Sequence, residues 1–206
     1  LAQIATGRDI LELITARLPG HETDFVTWLR WHFLENSTLT APQLLELVNL
    51  CQNNVGKELI KSLLRQQGSS SMDAWAERLQ DPNPKVVEEV INVIVESELG
   101  EQAKPLFLTT LEHPGPTVRA LSVEVLTPFY DVNVRQVILP LITDPDERVR
   151  LAILKLALAT RDNSLGPYLV KVSQSDECYS YGEDELRVLY ETTALLGSEA
   201  SLRTLF

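Results

Sequence analysis

The chain predicts an all-α solenoid of stacked helical hairpins, and three features of its 206 residues carry that reading. The first is a repeat. Val86, Val90, Val93 and Ile94 recur, at an offset of 32, as Val118, Ser122, Val125 and Leu126. A further offset of 31 reaches Val149, Ile153, Leu156 and Ala157. A step of 31 in the other direction reaches Val55, Leu59, Ser62 and Leu63. The second is the spacing inside each column, which puts its members on one face of a helix. The third is a column of helix breaks, Asp81-Pro82, His113-Pro114 and Asp144-Pro145, spaced 32 and 31. A repeat of this length marks hairpins that cannot bury their apolar faces alone and so stack on one another.

Taken in order, residues near 8–18 read as the second helix of a hairpin whose first helix is missing. First helices follow at about 22–35, 54–67, 84–98, 116–129 and 146–160. The earliest rests on Phe25, Leu29 and Phe33. Second helices are expected at about 41–52, 71–80, 101–111, 132–142 and 163–173. Thr40 and Pro42 open the first of these, because a hydroxyl accepts from free amides and proline tolerates an early helical position. The Ser69–Ser71 cluster opens the next. In two of the breaks Asp accepts from free amides, and in all three Pro stops the helix before it. Pro84, Pro116 and Glu147 start the helices that follow, and Gly100 and Gly197 end first helices.

The last repeat departs from the period. Val188, Thr192, Leu195 and Leu196 fit the apolar column, but the offset from Val149 to Val188 is 39. The extra material is Ser173–Asp184, an acidic stretch with two of the five tyrosines. Another second helix is expected from about Ser198.

Composition narrows the function classes. Hydrophobic residues at 44% and charged residues at 23% suit a folded domain rather than a disordered one. A net charge of −11 opposes nucleic-acid and anionic-membrane partners, which require a basic surface. No apolar run approaches the length of a membrane span, and the N-terminus shows no signal peptide. Cys51 and Cys178 supply neither a disulfide framework nor metal-ligand spacing, which fits a reducing, cytoplasmic setting. Cys51 is expected buried among Leu47, Val48 and Leu50, and Cys178 exposed among polar neighbours. The sequence lacks an initiator Met, and both ends read as cuts through a longer array.

The strings Asp144-Pro145-Asp146-Glu147-Arg148-Val149-Arg150 and His113-Pro114-Gly115-Pro116-Thr117-Val118-Arg119 resemble the loop-to-helix segment of HEAT repeats, particularly the short bacterial type. The resemblance implies a right-handed α-α superhelix of about five to six helical hairpins, armadillo-like in class. It covers residues 79–172 best. Residues 1–78 are divergent repeats, 173–184 an insert and 185–206 a partial last repeat, all in one solenoid domain 1–206. It also implies a ladder of Asp and Arg contacts between successive repeats, with Asp81, Asp144, Arg119 and Arg150 as its members. Val87 and Gly56 stand in the Arg column of earlier copies, so the ladder should be broken there.

Signals for chemistry are sparse. His32 falls in an apolar column and His113 in the Asp capping column. His21-Glu22 resembles one metal-ligand pair of the HEAT-repeat deoxyhypusine hydroxylases, a site built from several such pairs. Trp28 and Trp31 could serve the HEAT-like glycosylases that remove alkylated bases, but those need a basic groove. The acids Glu88, Glu89, Glu96 and Glu98 read as a solvated face, and the insert lacks the ligand alternation of a calcium loop.

The expectation is therefore a non-catalytic scaffold with no cofactor and no metal. Its partner would be another protein or another domain of the same chain. The alternatives are a bilin-lyase or chaperone-like subunit holding a small molecule, and a purely structural spacer. Second helices would line the concave face, with Lys104, Arg135, Gln136 and Lys171 on its solvent side. The insert supplies Asp176, Glu177, Tyr179 and Tyr181 as further partner-binding candidates, since insertions in repeat proteins gather on one face. Tyrosine suits such a role because it combines a stiff, large contact area with a polar tip.

Overall fold

The computed structural model describes residues 72–96 and 99–197, together with Leu44, Lys57, Glu58, Ile60, Lys61 and Leu64. Among the described residues every regular element is helical and there is no strand, so the protein is all-α. The expected hairpins before residue 72 lie outside the described residues, apart from those six positions. So do His21, Glu22, Trp28, Trp31, His32, Cys51, Gly56, Glu98 and the expected helix from Ser198.

The chain divides into two compact units: Leu1–Asp81 with Lys85–Ala103, and Pro82–Pro84 with Lys104–Phe206. In the first unit, α1 (Met72–Arg78) buries Trp75. Helix α2 (Pro84–Glu96), most of which belongs to this unit, buries Val87, Val90, Ile91, Val93 and Ile94. Leu44, Ile60 and Leu64 are buried as well. Val86, expected to lead the apolar column, is partly exposed, and Val87 beside it is fully buried. The column holding arginine in later repeats is thus absorbed into the core here. Lys57 pairs with Glu89 at 3.0 Å, and Lys61 lies 3.6 Å from Glu96, so part of the glutamate face is engaged. Gly100, the first residue of a 3-10 turn, has φ 56, a left-handed position where a side chain would be strained.

The second unit contains α3 (Lys104–Thr109), α4 (Pro116–Leu126), α5 (Val132–Ile138), α6 (Glu147–Thr160), α7 (Gly166–Ser173) and α8 (Glu183–Leu196). Helix α4 packs on α6, α6 packs on α8, α3 packs on α4, and α7 packs on α8. Val118, Leu126, Val149, Ile153, Leu156 and Ala157 from the repeating column are buried. Ser122 takes an apolar position in that column with its polar group satisfied. Its hydroxyl lies 2.6 Å from the Thr110 hydroxyl and donates to the Val118 carbonyl at 2.7 Å. Leu195 breaks the column, because it is 53% exposed on α8.

Several expected helices are shorter than the pattern suggested, and proline is the common reason. The span 132–142 is α5 followed by a 3-10 turn, Leu139–Thr143, with Pro140 in its first residues. Proline has no N–H for the carbonyl four residues back and its ring crowds that carbonyl. The span 116–129 likewise stops as α-helix at Leu126, with Pro128 in the 3-10 turn Thr127–Phe129. The span 163–173 starts as a 3-10 turn, Asn163–Leu165, before α7. The span 101–111 falls into a 3-10 turn Gly100–Ala103, α3 and a second 3-10 turn Thr110–Glu112. Gly166 allows α7 to touch α8, since a Cβ there would collide with the Leu196 carbonyl oxygen. No helix among the described residues is long and apolar enough to cross a membrane.

Candidate functional site

Polar side chains join helices and turns of the second unit along two lines. On the first-helix line, Arg119 of α4 donates to both carboxylate oxygens of Asp144, at 2.9 and 2.8 Å. The same guanidinium donates to the carbonyls of His113 and Pro114. Asp144 is 6% exposed and also accepts from the Asp146 N–H at 2.9 Å, so one carboxylate closes its own turn and holds the preceding helix. His113 fills the equivalent column with a ring acceptor: its Nδ1 takes the Gly115 N–H at 2.9 Å. Asp81, in that column of the first unit, accepts from Arg78 at 3.4 Å.

One sequence period later the partner changes. Arg150 of α6 donates to both oxygens of Glu185 in α8, at 2.5 and 2.7 Å, and to the Asp144 carbonyl at 2.7 Å. Glu185 is 1% exposed. The hydrogen bond to Glu185 holds the Arg150 guanidinium above its ordinary pKa, with burial opposing. The Tyr181 ring lies over the guanidinium, 4.1 Å from it.

The second-helix line adds what the sequence reading does not contain. Lys104 meets Asp131 at 2.5 Å, and one period later Arg135 meets Asp162 at 3.0 Å. Each aspartate also starts the helical segment behind it. Asp131 accepts from the Val134 N–H and Asp162 from the Ser164 N–H. Arg135 reaches Ser164 as well, and Tyr130 donates its hydroxyl to Asp162 at 2.8 Å. Burial opposes ionisation of Asp162, yet the hydrogen bonds from Ser164, Tyr130 and Arg135 hold its carboxyl well below the usual range. Burial, then the hydrogen bond to Asp162, pushes the Tyr130 phenol up. Hydrogen bonds from Lys104 and from the Val134 N–H lower the Asp131 carboxyl. Lys104 and Arg135, expected as solvent-side partner-binding residues, are therefore engaged in ion pairs with other parts of the chain, the Lys104 pair at the surface. The readable signal is the shared offset of 31 in Lys104/Arg135 and Asp131/Asp162. Gln136 and Lys171 are exposed, as expected of solvent-side positions.

The insert runs from the last residue of α7 through the connection into the first two residues of α8. It forms one 3-10 segment, Asp176–Ser180. Cys178 corrects its expected exposure: it is 2% exposed, and its thiol donates to the Ser173 carbonyl at 3.5 Å. Polar neighbours mislead because a 3-10 turn aims consecutive residues to different sides, here Cys178 inward and Tyr179 outward. Tyr179 is 83% exposed, the highest value among the exposed large hydrophobic residues described. Tyr181 is half-buried and spent on Arg150. Burial raises its phenol pKa, while the charge of Arg150 pulls the other way. Asp176 and Glu177 are both exposed. Of the four insert candidates, three reach solvent and Tyr181 serves the interior.

Comparison with protein-family models, with curated proteins and with solved structures gives no match to this chain.

Proposed function

We propose that the chain is a HEAT-repeat segment of a larger cytoplasmic protein, a right-handed superhelix that binds another protein or another domain of its own chain without catalysis. The observation that carries this reading is the recurrence, at the sequence period, of polar bonds between consecutive hairpins. Arg119 pairs with Asp144 on one line, and Lys104 with Asp131 and Arg135 with Asp162 on the other. Bonds that repeat with the sequence unit favour an array in which each hairpin is held by its neighbours, and such arrays serve as extended binding surfaces. The net charge of −11 favours a protein partner over nucleic acid or an anionic membrane.

Small-angle scattering and native mass spectrometry on the purified chain test this proposal. An elongated particle of polypeptide mass alone is expected. A compact sphere would overturn the solenoid, and a co-purifying chromophore or small molecule would favour a bilin-lyase or chaperone-like subunit instead.

A further inference from the structure

Large exposed apolar side chains concentrate where the period breaks. Tyr168, Tyr179, Tyr190 and Leu195, four of the seven among the described residues, fall within α7, the insert and α8. Tyr190 is 47% exposed and sits close to the insert. Burial raises its phenol pKa, and the neighbouring Cys178 and Tyr179 add to the effect. The insert itself carries Asp176, Glu177, Glu183 and Asp184 and no Lys or Arg. Of the bases around it, Arg150 is paired with Glu185 beneath Tyr181, Arg187 on α8 is held at 3.3 Å by Asp184 and at 4.0 Å by Glu191, and Lys171 on α7 is exposed.

The frame under these groups is pinned on both sides of Tyr179. Cys178 is buried against the Ser173 carbonyl, and Tyr181 is laid on Arg150, which Glu185 fixes in turn. An aromatic ring held out by buried neighbours is presented at little entropic cost, which is how preorganised contact residues favour binding. A π-face beside carboxylates is complementary to guanidinium and ammonium groups.

We propose that the insert, with Tyr179 as its aromatic anchor and Asp176, Glu177 and Glu183 as its acids, is the docking surface for an arginine- or lysine-rich segment of a partner protein. This rests on the protein-binding role proposed above and names the chemistry of the partner.

The test uses the full chain and a labelled (Arg-Gly)4 peptide in fluorescence anisotropy, with a Glu-Gly peptide as control. The basic peptide should bind at low salt and the acidic one should not. Tyr179→Ala should weaken binding about threefold or more, the size expected of a cation–π contact at an exposed site. Asp176→Asn with Glu177→Gln should weaken it further, and Tyr168→Ala should leave it unchanged. Equal binding by Tyr179→Ala would reduce the attraction to bulk charge and overturn the proposal, as would no binding at all.

A photo-crosslinking residue at 179, and separately at exposed Val137, then separates the two claims in a lysate of the native cell. A crosslink from 179 to a basic stretch supports both. Crosslinks only from 137 remove the insert site and leave the protein-binding role standing. Crosslinks from neither position overturn both.

Discussion

The two rungs that hold α4 to α6 and α6 to α8 reach the same bond by different routes. In the first, Arg119 finds its acid 25 residues on, in the loop that also starts the next helix. In the second, Arg150 finds its acid 35 residues on, within α8, after the insert has lengthened the connection. Asp144 closes its own turn as well as pairing. Glu185 accepts in the Arg150 pair while Tyr181 covers the guanidinium from above. The packing of successive first helices thus demands a carboxylate at one place in space. The chain can supply it from a loop or from a helix. An insertion is tolerated where the longer reach of glutamate and a covering tyrosine restore the pair.

The largest expected effect comes from emptying the second rung. Glu185→Ala leaves the Arg150 charge buried without a counter-ion and should cost about 3–5 kcal/mol in urea denaturation. Asp144→Ala should cost a similar amount if the rungs are equivalent. A loss below about 1 kcal/mol for Glu185→Ala alone, the range of an exposed pair, would show that the insert has made its rung dispensable. Replacing Arg150 and Glu185 together by Met should recover most of the loss, since an apolar pair carries no desolvation cost.

Next is Ile153→Ala, on the helix that both rungs share. Ile153 is 1% exposed, and its truncation should cost about 2–4 kcal/mol through lost burial and a residual cavity. Hydrogen exchange should rise in α4 and α8 alike. A rise confined to one of them would mean that the rungs report on separate packing surfaces.

Tyr181 separates the rungs at a smaller scale. Tyr181→Ala should cost about 1 kcal/mol and Tyr181→Phe close to nothing, because the ring face rather than the hydroxyl meets Arg150. An equal cost for both variants would assign the stabilisation to the phenol and remove the stacking argument.

A different kind of effect is a pH dependence on the second-helix line. The folded pKa of Asp162 is depressed, so its stabilisation is complete above the unfolded carboxylate value near 4 and is lost as pH falls toward the lower folded value. Asp162→Asn should flatten the acid limb of a stability profile below about pH 4 and leave the neutral limb parallel to wild type. An unchanged acid limb would place the titrating group elsewhere, with Asp131 the next to test.

Much of this architecture can be read in the residues, because the signals involved are local. Apolar periodicity marks helices wherever 3.6 residues make a turn, and the Asp-Pro columns mark breaks because Pro lacks a donor. The internal breaks at Pro128 and Pro140 are equally visible, but the strength of the apolar pattern runs the expected helices through them. The loss of arginine at Val87 is a one-column observation that composition alone would hide.

Other features needed the packed chain. Whether Lys104 and Arg135 point to solvent or to Asp131 and Asp162 depends on how the helices pack, which no local pattern encodes. Polar neighbours cannot announce the burial of Cys178, because burial is set by what α7 and α8 place around the 3-10 turn. Glu185 stands in a run of three acids, Glu183-Asp184-Glu185, of which it alone is buried. Backbone geometry and the burial of one face write the helices, their period and most of their ends into the residues themselves. Which charges pair with one another emerges only once the helices have packed, because a charge finds its partner by distance in space rather than by position along the chain.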